Sequence, residues 1–277
     1  LKSQAPDFAA FDIHPVPVQG WDNMTFRLGD NYVARFPSHK TYEAQVLRET
    51  EWLPRLAPLL PIPIPTVLLK GLPSKLFPYF WSIRNWVAGS PIDPHAGSLN
   101  LAVSRSLAEF LRAFQTLPSE NAPRPSEDNF WRGGDITRLD AQVRSAVESL
   151  SSEYDSGALQ KVWETALHAS TNKAAVWLHG DFSPGNLLLH DGELSGVIDF
   201  GQFAVGDPAC DLAIAWTMLD GEARLTFLQA LDADEALIAR AKGWALWKAA
   251  IIQSGQSQSN AQETLMAPRT LQRLIAE

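Results

Sequence analysis

Asp181, Asn186 and Asp199 have the residue types and the spacing to share one reaction. Asp181 and Asn186 stand five apart in a loop broken by Pro184 and Gly185. Such a loop leaves a strand, turns, and can aim two polar side chains at one point. Asp199 follows two short apolar runs joined at Asp191-Gly192, a turn dipeptide that predicts a β-hairpin. That hairpin would return Asp199 to the side of Asn186. An Asp and an Asn at a strand end are hard oxygen donors. They suit Mg²⁺, which takes one or two protein oxygens and completes its shell with phosphate and water. Asp181 stays free to meet an incoming hydroxyl. A hydroxyl acceptor beside oxygen ligands for a nucleotide-bound metal is the minimal set for phosphoryl transfer.

The order of these residues adds information. His179-Gly180-Asp181, Asn186 and Asp199-Phe200-Gly201 follow the kinase pattern H-x-D-x-x-x-x-N, then D-F-G. Gly180 after His179, and Gly206-Asp207-Pro208 with Asp211-Leu212 downstream, depart from protein kinases. So does the short step of six residues from Phe200 to Asp207, with no A-P-E motif after it. On these residues the chain resembles the aminoglycoside phosphotransferase family, a kinase-like group of small-molecule kinases. The resemblance covers most of residues 20–220.

The resemblance implies a bilobal protein-kinase-like fold of class α+β, with a nucleotide between the lobes. It implies transfer of the γ-phosphoryl of ATP or GTP to a small-molecule hydroxyl. Asp181 would be the catalytic residue, and Asn186 and Asp199 the Mg²⁺ ligands. His179, Asp207 and Asp211 would brace the catalytic loop, Asp211 through backbone N–H groups. Arg35, in Val33-Ala34-Arg35-Phe36-Pro37, sits where such kinases carry a strand Lys on the nucleotide phosphates. Arg still offers several donors to phosphate. Glu49 would be its ion-pair partner, with Glu43 and Glu51 as competitors. Asn23, in Gly20-Trp21-Asp22-Asn23, falls in the nucleotide-covering loop. The backbone from Asn85 to Val87 would pair with the adenine. The acceptor could be an aminoglycoside, whose cationic rings suit acidic residues such as Asp220, Glu222, Asp232 and Asp234. Family relatives also imply macrolides, choline-like alcohols, sugars or homoserine.

The elements that must position these groups are legible in outline. Residues 24–28 and 32–36 flank Gly29-Asp30-Asn31 and predict a hairpin. Residues 41–56 repeat apolar side chains at helical spacing, with Pro54 expected to distort the last turn. A proline-rich connector follows, then strands at 67–69 and 79–87. Ala88-Gly89-Ser90-Pro91 is a breaker cluster. It divides a β-rich N-terminal nucleotide-binding lobe, 1–87, from a catalytic and substrate-binding lobe, 88–277, with a hinge at about 85–91. Helices are expected at 99–117, 136–150 and 159–169, and strands at 174–178, 187–189 and 194–198. From Pro208 onward the chain reads as roughly four helical segments. The Trp244 and Trp247 stripe reads as core packing.

Composition excludes several classes. The chain has 277 residues, 45% apolar and only 19% charged, with 10 Trp and a net charge of −8. It reads as globular, with no wide basic face, so no nucleic-acid partner is expected. Cys210 is the only cysteine, which removes internal disulfides and cysteine metal clusters. The longest apolar stretch, 53–69, carries Arg55 and five prolines and reads as no membrane span. Without a signal-peptide pattern, a cytoplasmic location is expected. A zinc site of His179, Asp181 and His190 lacks standard ligand spacing, and no P-loop motif is present. A nucleotide-binding scaffold without turnover and a protein kinase are the rival readings. The former gains from Arg35 and the glycine-poor loop.

Overall fold

The structure is a computed structural model that describes residues 1–17, 19–93, 99–171 and 174–277. Its N-terminal part is an antiparallel sheet of five strands in the order β1-β2-β3-β5-β4. The strands are β1 (Ile13–Pro15), β2 (Asn23–Leu28), β3 (Tyr32–Pro37), β4 (Val67–Gly71) and β5 (Trp81–Asn85). The β2–β3 hairpin turns at Gly29, whose φ is +56°. Leu28, Ala34, Trp81 and Ile83 form a small core on one face of this sheet. Strand β1 was not expected from the sequence.

Helix α1 (Glu43–Leu56) crosses behind the sheet. It starts after a 3-10 turn at Lys40–Tyr42, where one helix from residue 41 was expected. It runs through Pro54 and tightens into a 3-10 turn only at Ala57–Leu59. Its inner residues Trp52, Leu53 and Leu56 join the main core of the C-terminal part. The Trp52 and Trp177 rings meet edge-on at 5.1 Å. The two parts therefore share apolar packing through α1.

Two small sheets lie under the C-terminal helices. In one, β6 (Ser90–Pro91) pairs with β8 (Leu187–His190), which pairs with β9 (Glu193–Val197). In the other, β7 (Val176–Leu178) pairs with β10 (Ala204–Gly206). The β8–β9 turn has Asp191 at φ 50° and Gly192 at φ 81°, the left-handed pair that a tight hairpin needs. The breaker cluster thus enters a sheet at Ser90 and Pro91, a pairing that turn composition hides.

The helices are α2 (Leu101–Gln115), α3 (Asp140–Ser149), α4 (Ser156–His168), α5 (Ala209–Leu212), α6 (Ile214–Thr217), α7 (Gly221–Ala230), α8 (Glu235–Gln253) and α9 (Ala261–Ile275). Five of these follow Pro208, against roughly four expected. The stretch expected as one helix over 136–150 is a 3-10 turn, Ile136–Leu139, then α3. Helix α2 starts where Asn100 accepts from the Val103 N–H at 2.8 Å. Its Val103, Leu107, Phe110, Leu111 and Phe114 are buried at helical spacing. Helix α8 is apolar around much of its circumference and sits in the centre of the helical part. Trp177 stacks on Phe114 and Phe203, at 5.7 and 5.8 Å, beneath the loop that carries Asp181. No helix among the described residues is long and apolar enough to cross a membrane.

Candidate active site

The loop after β7 is held through its backbone N–H groups by a side chain from α5. The Asp211 carboxylate, fully buried on α5, accepts from the His179 N–H at 2.6 Å and the Gly180 N–H at 2.9 Å. Burial pushes its carboxyl up, and the two N–H groups oppose that rise. His179 donates from Nε2 to the Ile198 carbonyl at 2.9 Å and accepts the Asp181 N–H on Nδ1 at 3.2 Å. Both ring nitrogens are engaged, and the ring lies 4.6 Å from the Phe200 ring. His179 thus ties the Asp181 loop to the Asp199 strand. Gly180 has φ +83°, and a Cβ there would meet the Gln202 carbonyl at 2.4 Å. The loop can lie this close only because residue 180 has no side chain.

The hairpin closes the set. Ile198 N–H donates to the Asn186 carbonyl at 2.8 Å, which fixes Asp199 next to Asn186. Asn186 Nδ2 donates to the Asp181 carbonyl at 2.9 Å and to Asp181 Oδ2 at 3.1 Å. Its Oδ1 therefore points away from Asp181. Asp199 sits in the left-handed region, φ 63° and ψ 66°, an uncommon state for a non-glycine.

Arg35 faces this pair from β3. Its Nη2 donates to Asp199 Oδ1 at 3.0 Å, and Nη1 lies 3.6 Å from Glu49. Burial works against the charge, but Asp199 and Glu49 outweigh it and keep the guanidinium protonated. Arg35 in turn depresses the Asp199 carboxyl against the pull of burial. The expected Arg35–Glu49 ion pair is thus present, and Glu49 has a second, closer partner that was not expected. Glu49 is held bidentately by Arg84, at 2.7 and 2.5 Å, with both side chains buried. Arg84 lies opposite Val33 on the neighbouring strand, where its planar fork fits the carboxylate. Nothing in the sequence marks Arg84 apart from other strand residues. Glu43 instead accepts from the Phe80 N–H at 2.9 Å.

Asn23 is buried at the start of β2, and its Oδ1 has no partner among the described residues. Beside it, Asp22 accepts from Gln45 at 3.0 Å, and burial raises its carboxyl, with Asp199 adding repulsion. The Asn85 side chain accepts from the Thr66 N–H at 2.5 Å and so ties the end of β5 to the residue before β4. Val87 is buried against Gly196 of β9. Asp207 does not reach the catalytic loop. It accepts from Arg240 at 2.6 and 3.1 Å and from the Ala209 N–H at 3.1 Å. Its carboxylate is turned to Arg240 of α8.

Lys248 was missed in the sequence. From α8 it donates to Asp181 Oδ1 at 2.7 Å and pairs with Glu263 of α9. Burial alone would raise the Asp181 carboxyl, but Lys248 and Arg132 hold it down at about 2. The available signal was a single Lys in the apolar run 243–252. The Mg²⁺ fit rests on the donor set: the Asn186 amide oxygen and the Asp199 carboxylate are hard oxygens on two segments joined by the Ile198–Asn186 hydrogen bond, and Mg²⁺ takes one or two such oxygens from a protein. No cluster of three His, Cys, Asp or Glu that could hold a metal occurs among the described residues. The zinc alternative fails accordingly, with His190 exposed at the hairpin tip.

A model described as the phosphotransferase enzyme family matches residues 12–246. An aminoglycoside 3'-phosphotransferase from Escherichia coli is 32% identical over 116 residues, 41% of this chain and 42% of that protein. One from Streptomyces fradiae is 29% identical over 179 residues, 60% of each. The matches to these relatives thus span less than two thirds of their length. Among solved structures, the GDP and kanamycin complex of APH(2")-IIia superposes with a TM-score of 0.73 at 19% identity, over 99% of this chain and 96% of that one. The apoenzyme of the macrolide 2'-phosphotransferase MphH from Brachybacterium faecium gives 0.64 at 19% identity, over 96% and 95%. The fold is therefore the kinase-like α+β fold.

Proposed function

The chain belongs to the phosphotransferase enzyme family, and from that membership and the site geometry we propose that it moves the γ-phosphoryl of ATP or GTP to a hydroxyl of a small molecule. The observation that carries this reading is the convergence of Asp181, Asn186 and Asp199 within one hydrogen-bonded unit. The nucleotide would lie between the 1–87 and 88–277 lobes, with its base against the backbone at 85–87. Arg35, now on Asp199, would turn to the phosphates and keep Glu49 behind it. Mg²⁺ on Asn186 Oδ1 and Asp199 would screen the phosphate charge. A cytoplasmic location fits a need for nucleoside triphosphates.

The hydroxyl oxygen attacks the γ-phosphorus as the bond to the β–γ bridging oxygen breaks. Asp181 orients that hydroxyl and takes its proton late. A carboxylate held at about 2 is a weak base. That suffices, because the transition state is loose and gains most from positioning and electrostatics. Lys248 keeps Asp181 ionised and fixes its rotamer.

The test is Mg²⁺-dependent nucleotide turnover, with ATP and GTP, over a panel of alcohols. Its panel starts from aminoglycosides and macrolides, the compounds named for the relatives and structural neighbours. Turnover stimulated by an acceptor and lost in Asp181→Ala is the expected result. Absence of Mg-nucleotide binding would overturn the reading.

A further inference from the structure

A cleft of about 570 Å³, its open mouth included, lies against Asp181. Ile214, Trp244, Ala249, Ile252 and Met266 give it an apolar wall. Its charged lining is Asp181, Glu263, Lys248 and Arg132, whose formal charges cancel.

Both carboxylates are already engaged. Asp181 Oδ1 takes Lys248 and Oδ2 takes Asn186. Glu263 takes Lys248 on one oxygen and the Ser259 hydroxyl on the other. The acidic residues that the sequence offered for a cationic acceptor lie elsewhere. Asp220 faces Arg273, Asp232 faces Arg112, and Asp234 caps α8. None of them lines the cleft.

The spare polar capacity is in donors. Trp244 is buried in the wall, and its indole N–H has no partner among the described residues. Arg132 donates to the uncharged Gln202 at 3.0 Å and stacks over Trp247. Its charge helps to hold the Asp181 carboxyl down, while the closer cation on Asp181 is Lys248. An ammonium group entering here would shed its water and meet Lys248 and Arg132, and would compete with Lys248 for the two carboxylates that line the cleft. An apolar body would gain from the wall, and an oxygen acceptor would satisfy the indole.

We propose that the acceptor is an uncharged alcohol with an apolar body and an ether or carbonyl oxygen that accepts from Trp244 Nε1, and that polycationic alcohols are excluded. This rests on the cleft being the acceptor side of the proposed phosphotransferase.

The test uses alcohols that share one body and differ in charge: methyl 4-hydroxycyclohexanecarboxylate, its free carboxylate and 4-aminocyclohexanol, with kanamycin as the polycation. Their Kd values are read by ligand-observed NMR on the whole chain, with and without a Mg-bound non-hydrolysable ATP analogue. The ester should bind at least ~10-fold tighter than the amine, and kanamycin should not saturate at millimolar concentration. Trp244→Phe keeps the ring and deletes the N–H. It should weaken the ester about 5-fold and leave the amine unchanged. The proposal is overturned if the amine, the carboxylate or kanamycin binds tightest, if the ester does not bind, or if Trp244→Phe leaves the ester unchanged. Nucleotide binding is titrated separately. Its failure removes the phosphotransferase reading, while the order of the alcohols in nucleotide-free protein still decides the character of the cleft.

Discussion

Lys248 on α8 and Asp181 on the loop after β7 are 67 residues apart in sequence, and their side chains meet at 2.7 Å. This contact sets the protonation of the residue proposed to receive the substrate hydroxyl. It also couples that residue to α9 through Glu263.

The first prediction concerns pH. Asp181 is held below its ordinary value, to about 2. A carboxyl lowered on folding adds stability above its unfolded pKa, and that stability fades as pH falls through the folded value. In the wild type, the acid limb of kcat/KM should therefore show no titration of Asp181 between pH 4 and 7. Lys248→Met removes the cation while burial stays, so the limb should move up to pH 4 or above. Turnover at neutral pH should drop by ~10². A pH–rate profile of both proteins checks this, and an unmoved limb would show that Lys248 does not control Asp181.

A second prediction follows from the Glu49–Arg84 pair. Both groups are buried and joined by two hydrogen bonds. Arg84→Met leaves the buried Glu49 carboxylate with only the longer Arg35 contact and should cost about 3–5 kcal/mol in urea unfolding. Replacing both, Glu49→Leu with Arg84→Met, should recover most of that loss. If the double variant is as unstable as the single, the pair is not what sets the cost.

Gly180 supplies a third. A methyl group there meets the Gln202 carbonyl at 2.4 Å, and φ is +83°. Gly180→Ala should shift the Asp181 loop and lower acceptor-dependent turnover by ~10² or more. Nucleotide affinity, measured by calorimetry, should fall less than turnover, because Arg35 and Asp199 do not lie on that loop although Asn186 does.

The metal site can be probed without turnover. Mn²⁺ bound with ATP gives a paramagnetic signal that reports the ligand set. Asp199→Asn should weaken Mn-ATP binding by ~10-fold or more, and Asn186→Ala by less, since a carboxylate carries more of the attraction. Equal binding in Asp199→Asn and wild type would remove Asp199 as a ligand. Arg35→Ala should raise the nucleotide KM by ~10-fold while leaving the Mn²⁺ preference unchanged.

The hairpin was readable because Asp191-Gly192 between apolar runs leaves few options for the backbone. Its position then placed Asp199 beside Asn186, and the structure has them there. Helix α2 was readable from its apolar period. The β6 and β10 strands were not, since Ser90-Pro91 and Ala204–Gly206 are too short to show a period. Their pairing is supplied by β8 and β7. Asp207 shows the same limit at the level of one side chain: its motif position was plain, but Arg240, its partner, lies 33 residues away on α8.

The sequence by itself determined the local chemistry: a loop with Asp181 and Asn186, a hairpin and Asp199, and a strand carrying Arg35. Those features depend on spacing, turn geometry and residue type within a few tens of residues. Tertiary structure alone decided which charge meets which. Arg84 rather than Arg35 neutralises Glu49 most closely, Lys248 meets Asp181, and the surface acids stay out of the cleft. Ion pairing falls off over a few ångströms once water is displaced, so it is set by how helices and strands pack, and sequence distance carries no record of that packing.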